Sequence, residues 1–143
     1  MSRHQLVSCP VSTVLPYLYT GPVQDTLLSV LPFFHIYGLN SVLHTSMLSG
    51  QHLVSMPKFT AEDYLGALVR HRPTGLALVP AVIQFLAMHP AVKPQHLESV
   101  RYVMSGAAPL GLDLVKRLHD KAGRELDLRQ GKTAAAAAAA AAM

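Results

Sequence analysis

Short apolar runs that favour β-strands alternate along this chain with longer segments of helical periodicity, and this alternation limits its fold more than any other feature. The predicted strands cover residues 26–31, 52–56, 75–79, 100–104 and 125–129. The predicted helices cover residues 36–49, 60–70, 81–88 and 112–122. Strands that alternate with helices are typical of βαβ units, so we predict an α/β fold whose mainly parallel sheet is flanked by helices.

Local signals support two parts of this prediction. Thr60 is a good helix N-cap, and Glu62 and Asp63 follow in the first turn, where carboxylates suit the positive end of the helix dipole. The third and fourth predicted strands are almost continuously apolar. Such runs predict strands that are buried on both faces.

The length of 143 residues allows one domain at most, and half of the residues are hydrophobic, as a buried interior requires. From Ala134 the chain consists of nine alanines and Met143. A uniform methyl surface carries no chemistry, so we interpret this segment as an artefact or a spacer. We therefore predict a globular part over residues 1–133 and a low-complexity tail over residues 134–143.

Composition argues against several functional classes. The 12 Lys and Arg residues are scattered among 8 acids, without a basic run, so we predict no nucleic-acid binding. Cys9 is the only cysteine, which excludes an intrachain disulfide and fits a reducing, intracellular compartment. No apolar run approaches the roughly 18 residues of a membrane span. The histidines form no i, i+4 pair backed by a carboxylate, so we predict no metal site.

Four dipeptides follow predicted strands directly or closely. They are Phe34-His35, Pro80-Ala81, Ser105-Gly106 and Gln130-Gly131. The carboxyl ends of parallel strands in an open sheet face one crevice, where such folds bind ligands. The sequence therefore predicts that these positions line a shared pocket.

His35 is the most notable single residue at this edge. Between a strand end and a helix start, a neutral imidazole can donate a hydrogen bond to an oxygen of a carboxylate or phosphate. Tyr37 and Ser41 lie four residues apart, on one face of the following helix, where they can line an acyl pocket. From the pattern alone, the alternatives stay open: a loop histidine that satisfies local backbone groups, and ordinary core or surface residues.

The small residues Gly106, Ala107 and Ala108 let the backbone approach a flat ligand, and Pro109 then starts a segment whose free N–H groups can face anionic oxygens. The alternative is a tight strand-to-helix turn. Residues 131–133 resemble the end of a nucleotide-binding phosphate loop, but Leu126 stands where that motif requires glycine, so we reject that motif.

Together, residues 31–41 and 105–111 resemble the acyl-adenylate-forming superfamily. The branch is that of 4-coumarate:CoA ligase and firefly luciferase, in which Leu-Pro-x-Phe-His-x-Tyr and Ser-Gly-Ala-Ala-Pro-Leu-Gly recur in this order. Residues 56–59 match a Met-x-Lys-Phe element between them, and residues 1–7 resemble the segment that follows the family's phosphate loop. The similarity runs from about Ser2 to Gly131.

The resemblance implies a partial N-terminal domain of this fold, with residues 1–133 as a partial AMP-binding domain. It also implies a ligase that uses ATP and Mg²⁺ to convert a carboxylic acid to acyl-AMP and then transfers the acyl group to CoA. His35 would orient the acid and adenylate, and Lys58 would reach CoA. The positions that would line the acyl and adenylate side of the pocket are Tyr37, Ser41, Gly106, Ala107, Ala108, Pro109, Gln130 and Gly131.

The chain departs from the family pattern at both ends. It has no lysine-containing phosphate loop before the first match, and Lys132-Thr133 stand where the family has Tyr-Gly-x-Thr-Glu. We therefore expect this polypeptide alone to be inactive. A non-catalytic acyl- or adenylate-binding remnant and a protein-interaction module, self-associating through sheet edges, are the alternative hypotheses. The family is cytoplasmic or peroxisomal, which fits an intracellular protein.

Overall fold

A computed structural model describes residues 24–106 and 110–130, and for Gln130 it describes the backbone only. Five strands form one sheet. They are β1 (Thr26–Ser29), β2 (His52–Ser55), β3 (Gly75–Leu78), β4 (Tyr102–Ser105) and β5 (Asp127–Gln130). The predicted segments near residues 2–7, at 107–109 and from 131 onward lie outside the described residues.

Four helices connect the strands. The first, α1, has a π-helical part, Tyr37–His44, that continues into an α-helical part, Thr45–Ser49. The others are α2 (Ala61–His71), α3 (Pro80–Met88) and α4 (Leu112–Ala122), and a 3₁₀ turn, Pro94–Leu97, lies between α3 and β4. Each of the four helices therefore follows one of the first four strands.

The sheet is parallel throughout and has the strand order β2-β1-β3-β4-β5. The chain moves from β1 to one edge and then returns across the sheet, so the connecting helices lie on opposite faces. The α/β fold with a parallel sheet and flanking helices, predicted from sequence, is confirmed.

Two hydrophobic clusters lie on the two faces of the sheet. The larger one packs Leu28, Leu76 and Val103 against α2, α3 and α4, with Tyr64 and Ile83 fully buried among them. The smaller one packs Leu27, Ala77 and Tyr102 against Val42 of α1. Because successive strand residues point to opposite faces, β3 and most of β4 are buried on both sides, as predicted.

Several predicted boundaries are confirmed and others shift by one or two residues. Thr60 caps α2 by accepting the Asp63 N–H at 3.2 Å, and α4 has the predicted bounds. β1 ends at Ser29, two residues early, because the Ser29 hydroxyl accepts the Leu31 N–H at 3.1 Å and turns the chain. β4 starts late because the Val100 N–H bonds back to the Leu97 carbonyl.

The π-helical winding at the start of α1 was not predicted. Gly38 packs against the loop that follows β1. A Cβ on Gly38 would lie only 2.3 Å from the Pro32 carbonyl oxygen. The Thr45 hydroxyl donates to the Asn40 carbonyl, five residues earlier, at 3.2 Å. This wider winding is uncommon and is often found at functional sites.

A polar network ties the amino ends of the strands together, on the edge of the sheet opposite to the predicted site. Asp25 is almost fully buried and pairs with Arg101, and its carboxylate also accepts the Thr74 hydroxyl at 2.8 Å. Burial, with the charge of Asp25 nearby, raises the pKa of Tyr102 to about 12. These residues hold β1, β3 and β4 in register.

Candidate functional site

Tyr37 anchors the start of α1 to the carboxyl ends of two strands. Its hydroxyl lies 3.3 Å from the Leu78 carbonyl oxygen and 3.1 Å from the Met104 carbonyl oxygen and donates its proton there. Burial raises the pKa of the Tyr37 phenol well above its ordinary value, so the group stays protonated and remains a donor. The first helix is thereby fixed over β3 and β4.

The ring of Tyr37 lies directly against Gly106. A Cβ on Gly106 would be 2.7 Å from the Tyr37 ring, so only glycine fits beside this side chain. The Gly106 N–H donates to the Leu78 carbonyl at 3.2 Å, which holds the start of the small-residue stretch at the end of β3. The two stretches singled out by the sequence therefore meet at one edge of the sheet.

His35 lies two residues before Tyr37 and is exposed. Its Nδ1 accepts the Tyr37 backbone N–H at 3.2 Å. An imidazole nitrogen that accepts a hydrogen bond carries no proton, so this bond assigns the ring proton to Nε2. In this arrangement the Nε2–H of His35 is a hydrogen-bond donor beside the Tyr37 anchor.

The other predicted pocket residues are described to different extents. Ser41 is half-buried and lies four residues after Tyr37 in the π-helical part of α1. Gln130 pairs with Ser105 at the end of the sheet, so its backbone reaches the same edge. Ala107, Ala108, Pro109 and Gly131 lie outside the described residues.

Lys58 lines a separate groove between β2 and α2, with a volume of about 560 Å³. Lys58 follows β2, whereas Tyr37 is bonded to the end of β3. β1 lies between these two strands, so β2 and β3 are about 10 Å apart. Lys58 is therefore at the same edge of the sheet as Tyr37 but not beside it. Lys58 is exposed. The groove is lined by Val54, Ser55, Met56, Pro57, Lys58, Glu62, Asp63, Gly66, Ala67, Arg70 and His71.

Two general properties of the described residues bear on the site. Within residues 24–106 and 110–130, no three His, Cys, Asp or Glu side chains come together in a way that can hold a metal ion. No helix in the same part of the chain is long and apolar enough to cross a bilayer. The described residues thus provide no ready-made Mg²⁺ cluster.

Sequence reasoning missed the features that depend on long-range packing. The bonds from the Tyr37 hydroxyl to β3 and β4 have no local signal, although the run of small residues after β4 indicates a close approach. The groove between β2 and α2 was also missed. Its signal in the sequence is the i, i+4 spacing of Glu62, Gly66 and Arg70, which places the three residues on one helix face.

Known proteins resemble the chain in sequence. The chain is 49% identical over 111 residues to 4-coumarate–CoA ligase 3 of Arabidopsis thaliana, a match that covers 78% of this chain and 19% of that protein. It is 46% identical over 99 residues to 4-coumarate–CoA ligase 2 of Oryza sativa subsp. japonica, covering 69% of this chain and 17% of the relative. The chain thus spans about a fifth of the length of these relatives.

The fold resembles solved structures of the same class. ATP-bound MatB from Rhodopseudomonas palustris superposes with a TM-score of 0.77 at 27% identity, over 92% of this chain and 25% of that one. The N-terminal domain of FACL13 from Mycobacterium tuberculosis gives a TM-score of 0.72 at 27% identity and is covered to 32%. The family model described as "AMP-binding enzyme" matches residues 1–140. The family model, the shared fold and the ligase relatives agree. The chain therefore belongs to the AMP-binding enzyme family, which comprises the acyl-adenylate-forming enzymes that its two motifs predict.

Proposed function

We propose that this chain forms the part of an acyl-CoA ligase that binds the acid and its adenylate, in an enzyme that makes acyl-AMP from ATP and a carboxylic acid and then transfers the acyl group to CoA. The observation that supports it best is the contact between Tyr37 and Gly106. That contact brings the histidine motif and the small-residue motif to one edge of a parallel sheet, where such folds bind ligands.

In this proposal His35 is the hydrogen-bond donor to the reacting acid. Its Nδ1 is occupied by the Tyr37 N–H, so the ring is held in one tautomer and its exposed Nε2–H is available to an oxygen of the acyl-adenylate. A donor fixed before the reaction stabilises the charge that develops when a carboxylate attacks the α-phosphate.

In this proposal the pocket for the acyl and adenylate groups is lined by Tyr37, Ser41, Gly106 and Gln130. Ala107, Ala108, Pro109 and Gly131, which lie outside the described residues, complete the proposed lining. The Tyr37 hydroxyl is already bonded to two carbonyls, so its ring rather than its hydroxyl would face the ligand. Residues 24–106 and 110–130 contain no group of three or more His, Cys, Asp or Glu side chains that could hold a metal ion. We assign no step to Mg²⁺ here.

Lys58 is proposed as the contact to CoA. It is exposed at the carboxyl-end side of β2, and none of the ion pairs formed by the described residues includes it. Its ammonium is therefore available as a point charge for a phosphate. Isothermal titration of CoA should give weaker binding for Lys58→Gln, whereas Lys116→Gln, an exposed lysine on α4, should match the parent chain. Equal binding by both variants would remove Lys58 from the CoA site.

We further propose that the 143 residues do not complete adenylation on their own, because Lys132-Thr133 replace the Tyr-Gly-x-Thr-Glu pattern of the family. The globular domain would cover residues 1–133, with residues 134–143 as a tail. Release of pyrophosphate from ATP with 4-coumarate, at a rate above that of a heat-inactivated sample, would contradict this part of the proposal. Limited proteolysis should remove the tail without loss of the folded core.

Binding of the adenylate tests the central proposal. A non-hydrolysable 4-coumaroyl-adenylate analogue should bind the chain in calorimetry, and His35→Ala should weaken binding about tenfold, as expected for one lost hydrogen bond. His89→Ala is a matched control, since the His89 Nδ1 accepts the Ala91 N–H at 3.2 Å in the same local arrangement, away from the site. No heat at high analogue concentration, or equal losses in both variants, would overturn the proposal.

Two other hypotheses are separated by the same experiments. A non-catalytic adenylate-binding protein would bind the analogue with His35 intact, yet a longer form of the chain, if one exists, would release no pyrophosphate. An interaction module would bind no analogue and would self-associate. One observation favours self-association: β2 is an outer strand of the sheet formed by the described residues. An intracellular location, cytoplasmic or peroxisomal, belongs to the main proposal and is supported by the single cysteine.

A further inference from the structure

One face of α2 carries acidic residues near its start and basic residues near its end. This face lies beside β2, an outer strand of the sheet formed by the described residues. The groove between α2 and β2 is lined, along the helix, by acidic residues at its start, small residues at its middle and basic residues at its end. In helix order these residues are Glu62, Asp63, Gly66, Ala67, Arg70 and His71. All six are at least partly exposed, and we call them the α2 stripe.

We infer that a second copy of this chain docks on the α2 stripe, with its own α2 antiparallel to the first. The midpoint of the stripe falls between Gly66 and Ala67. A twofold axis at that point places Glu62 and Asp63 of each copy opposite Arg70 and His71 of the other. Such an interface is self-complementary, as a twofold contact between identical chains must be.

The charges of the α2 stripe are suited to this pairing. Among the described residues, Glu62 and Arg70 take part in no ion pair within the chain. Asp63 is partly engaged, because its carboxylate accepts the Thr60 hydroxyl at 2.6 Å. Glu62 and Arg70 are eight residues apart, about 12 Å along the helix, too far to pair with each other in one copy. An antiparallel copy brings them together.

The middle of the stripe permits a close approach. A Cβ at Gly66 would meet no atom of residues 24–106 and 110–130 within 4 Å, so the space above Gly66 is open in this part of the chain. Small residues at the crossing point let two helix backbones approach at the short end of the usual interaxial range. The position of Gly66 and Ala67 at the centre of the charge pattern is what a twofold helix pair needs.

β2 supports the same arrangement from the sheet side. It pairs with β1 on one side, and among the described strands none pairs with its other side. Its sequence, His52-Leu53-Val54-Ser55, contains no Pro, Lys or acid to block edge pairing. An axis normal to the sheet makes β2 antiparallel to its copy and leaves both α2 helices on the same face. We therefore place the helix pair and the strand pair on one twofold axis.

Charge reversal combined with analytical ultracentrifugation tests this interface on the full chain. We expect a monomer–dimer equilibrium whose dissociation constant rises at least about tenfold in Glu62→Lys and in Arg70→Glu, since like charges then face each other. The double variant Glu62→Lys/Arg70→Glu restores both attractions across the axis and should return to near the parent value. Lys116→Glu, an equivalent reversal on α4, should have no effect. Circular dichroism checks that each variant is folded.

Gly66→Leu gives a second, independent test. The single chain has room for the side chain, so the variant should fold, but the leucine would hold the two helices apart and shift the equilibrium to monomer. A monomer at every concentration of the parent chain, or a dimer unaffected by all these variants, would overturn the inference. The inference does not depend on adenylate binding, so analogue titration of the monomeric variants separates a failure here from a failure of the proposed function. Lys58 lines the same groove, so the second copy and CoA would compete for it.

Discussion

The Tyr37 ring fills the space that a side chain at Gly106 would occupy. The first residue of α1 and the residue that follows β4 are therefore packed directly against each other. The Tyr37 hydroxyl bonds to the Leu78 and Met104 carbonyls and fixes the ring in this position. Because His35 is bonded to the Tyr37 backbone, the position of the histidine depends on the same contact.

Gly106→Ala should destabilise the chain by about 1–3 kcal/mol, because the added methyl group overlaps the Tyr37 ring in a packed region. Urea denaturation measures the loss. In a Tyr37→Ala background the same change should have a much smaller effect, since the overlapping ring is gone. Equal losses in both backgrounds would show that the contact does not limit residue 106.

Gly66→Ala is the opposite case and serves as a control for glycine replacement. Gly66 is exposed within α2, and a Cβ there meets no atom of the residues that the structure describes within 4 Å. Alanine should therefore stabilise the chain by about 0.5–1 kcal/mol through the lower entropy of the unfolded state. A lower urea midpoint for this variant, measured at a concentration at which the chain is monomeric, would contradict the open environment of Gly66.

Tyr64→Phe should leave the stability unchanged or raise it slightly. The Tyr64 side chain is fully buried, and its hydroxyl has no hydrogen-bond partner among the described residues. Burial also raises the pKa of this phenol, which therefore stays protonated. Removing an unpartnered buried hydroxyl relieves a desolvation cost on the order of 1 kcal/mol. A loss of more than about 1 kcal/mol in thermal or urea unfolding would indicate a missed partner.

Asp25→Ala should destabilise the chain by about 2 kcal/mol, because it removes a carboxylate that pairs with Arg101 and accepts the Thr74 hydroxyl. The estimate is below that for a fully buried pair, because the Arg101 side chain is 40% exposed. Asp113→Ala breaks the exposed Asp113–Arg117 pair on α4 and should cost less than about 0.5 kcal/mol. Similar losses for the two variants would contradict a special role for the buried network.

His96 should make the stability of the chain depend on pH. Burial, with the positive charge of Lys93 as a second cause, lowers the pKa of the His96 imidazole, whose Nδ1 accepts the Lys93 N–H at 2.9 Å. The folded state therefore resists protonation more than the unfolded state does. This contribution to stability is complete above the unfolded pKa of about 6.5 and is lost as the pH falls through the lower folded pKa.

The free energy of unfolding should therefore fall between pH 7.5 and pH 5, and it should fall less in His96→Asn, which keeps an acceptor but does not titrate. Denaturation curves at the two pH values for both proteins measure the difference. Parallel pH profiles for the parent and the variant would assign the pH dependence to other groups.

Local sequence determined the elements and the family. The cap at Thr60, the apolar periodicity and the two motifs are properties of neighbouring residues, so they predicted an α/β fold and its type of ligand site without coordinates. Only the tertiary structure decided that Tyr37 bonds to the ends of β3 and β4, that α1 begins as a π-helix, and that the α2 stripe flanks an outer strand. These features depend on contacts between residues that are distant in the chain, and such contacts form only when the sheet has fixed which strands are neighbours.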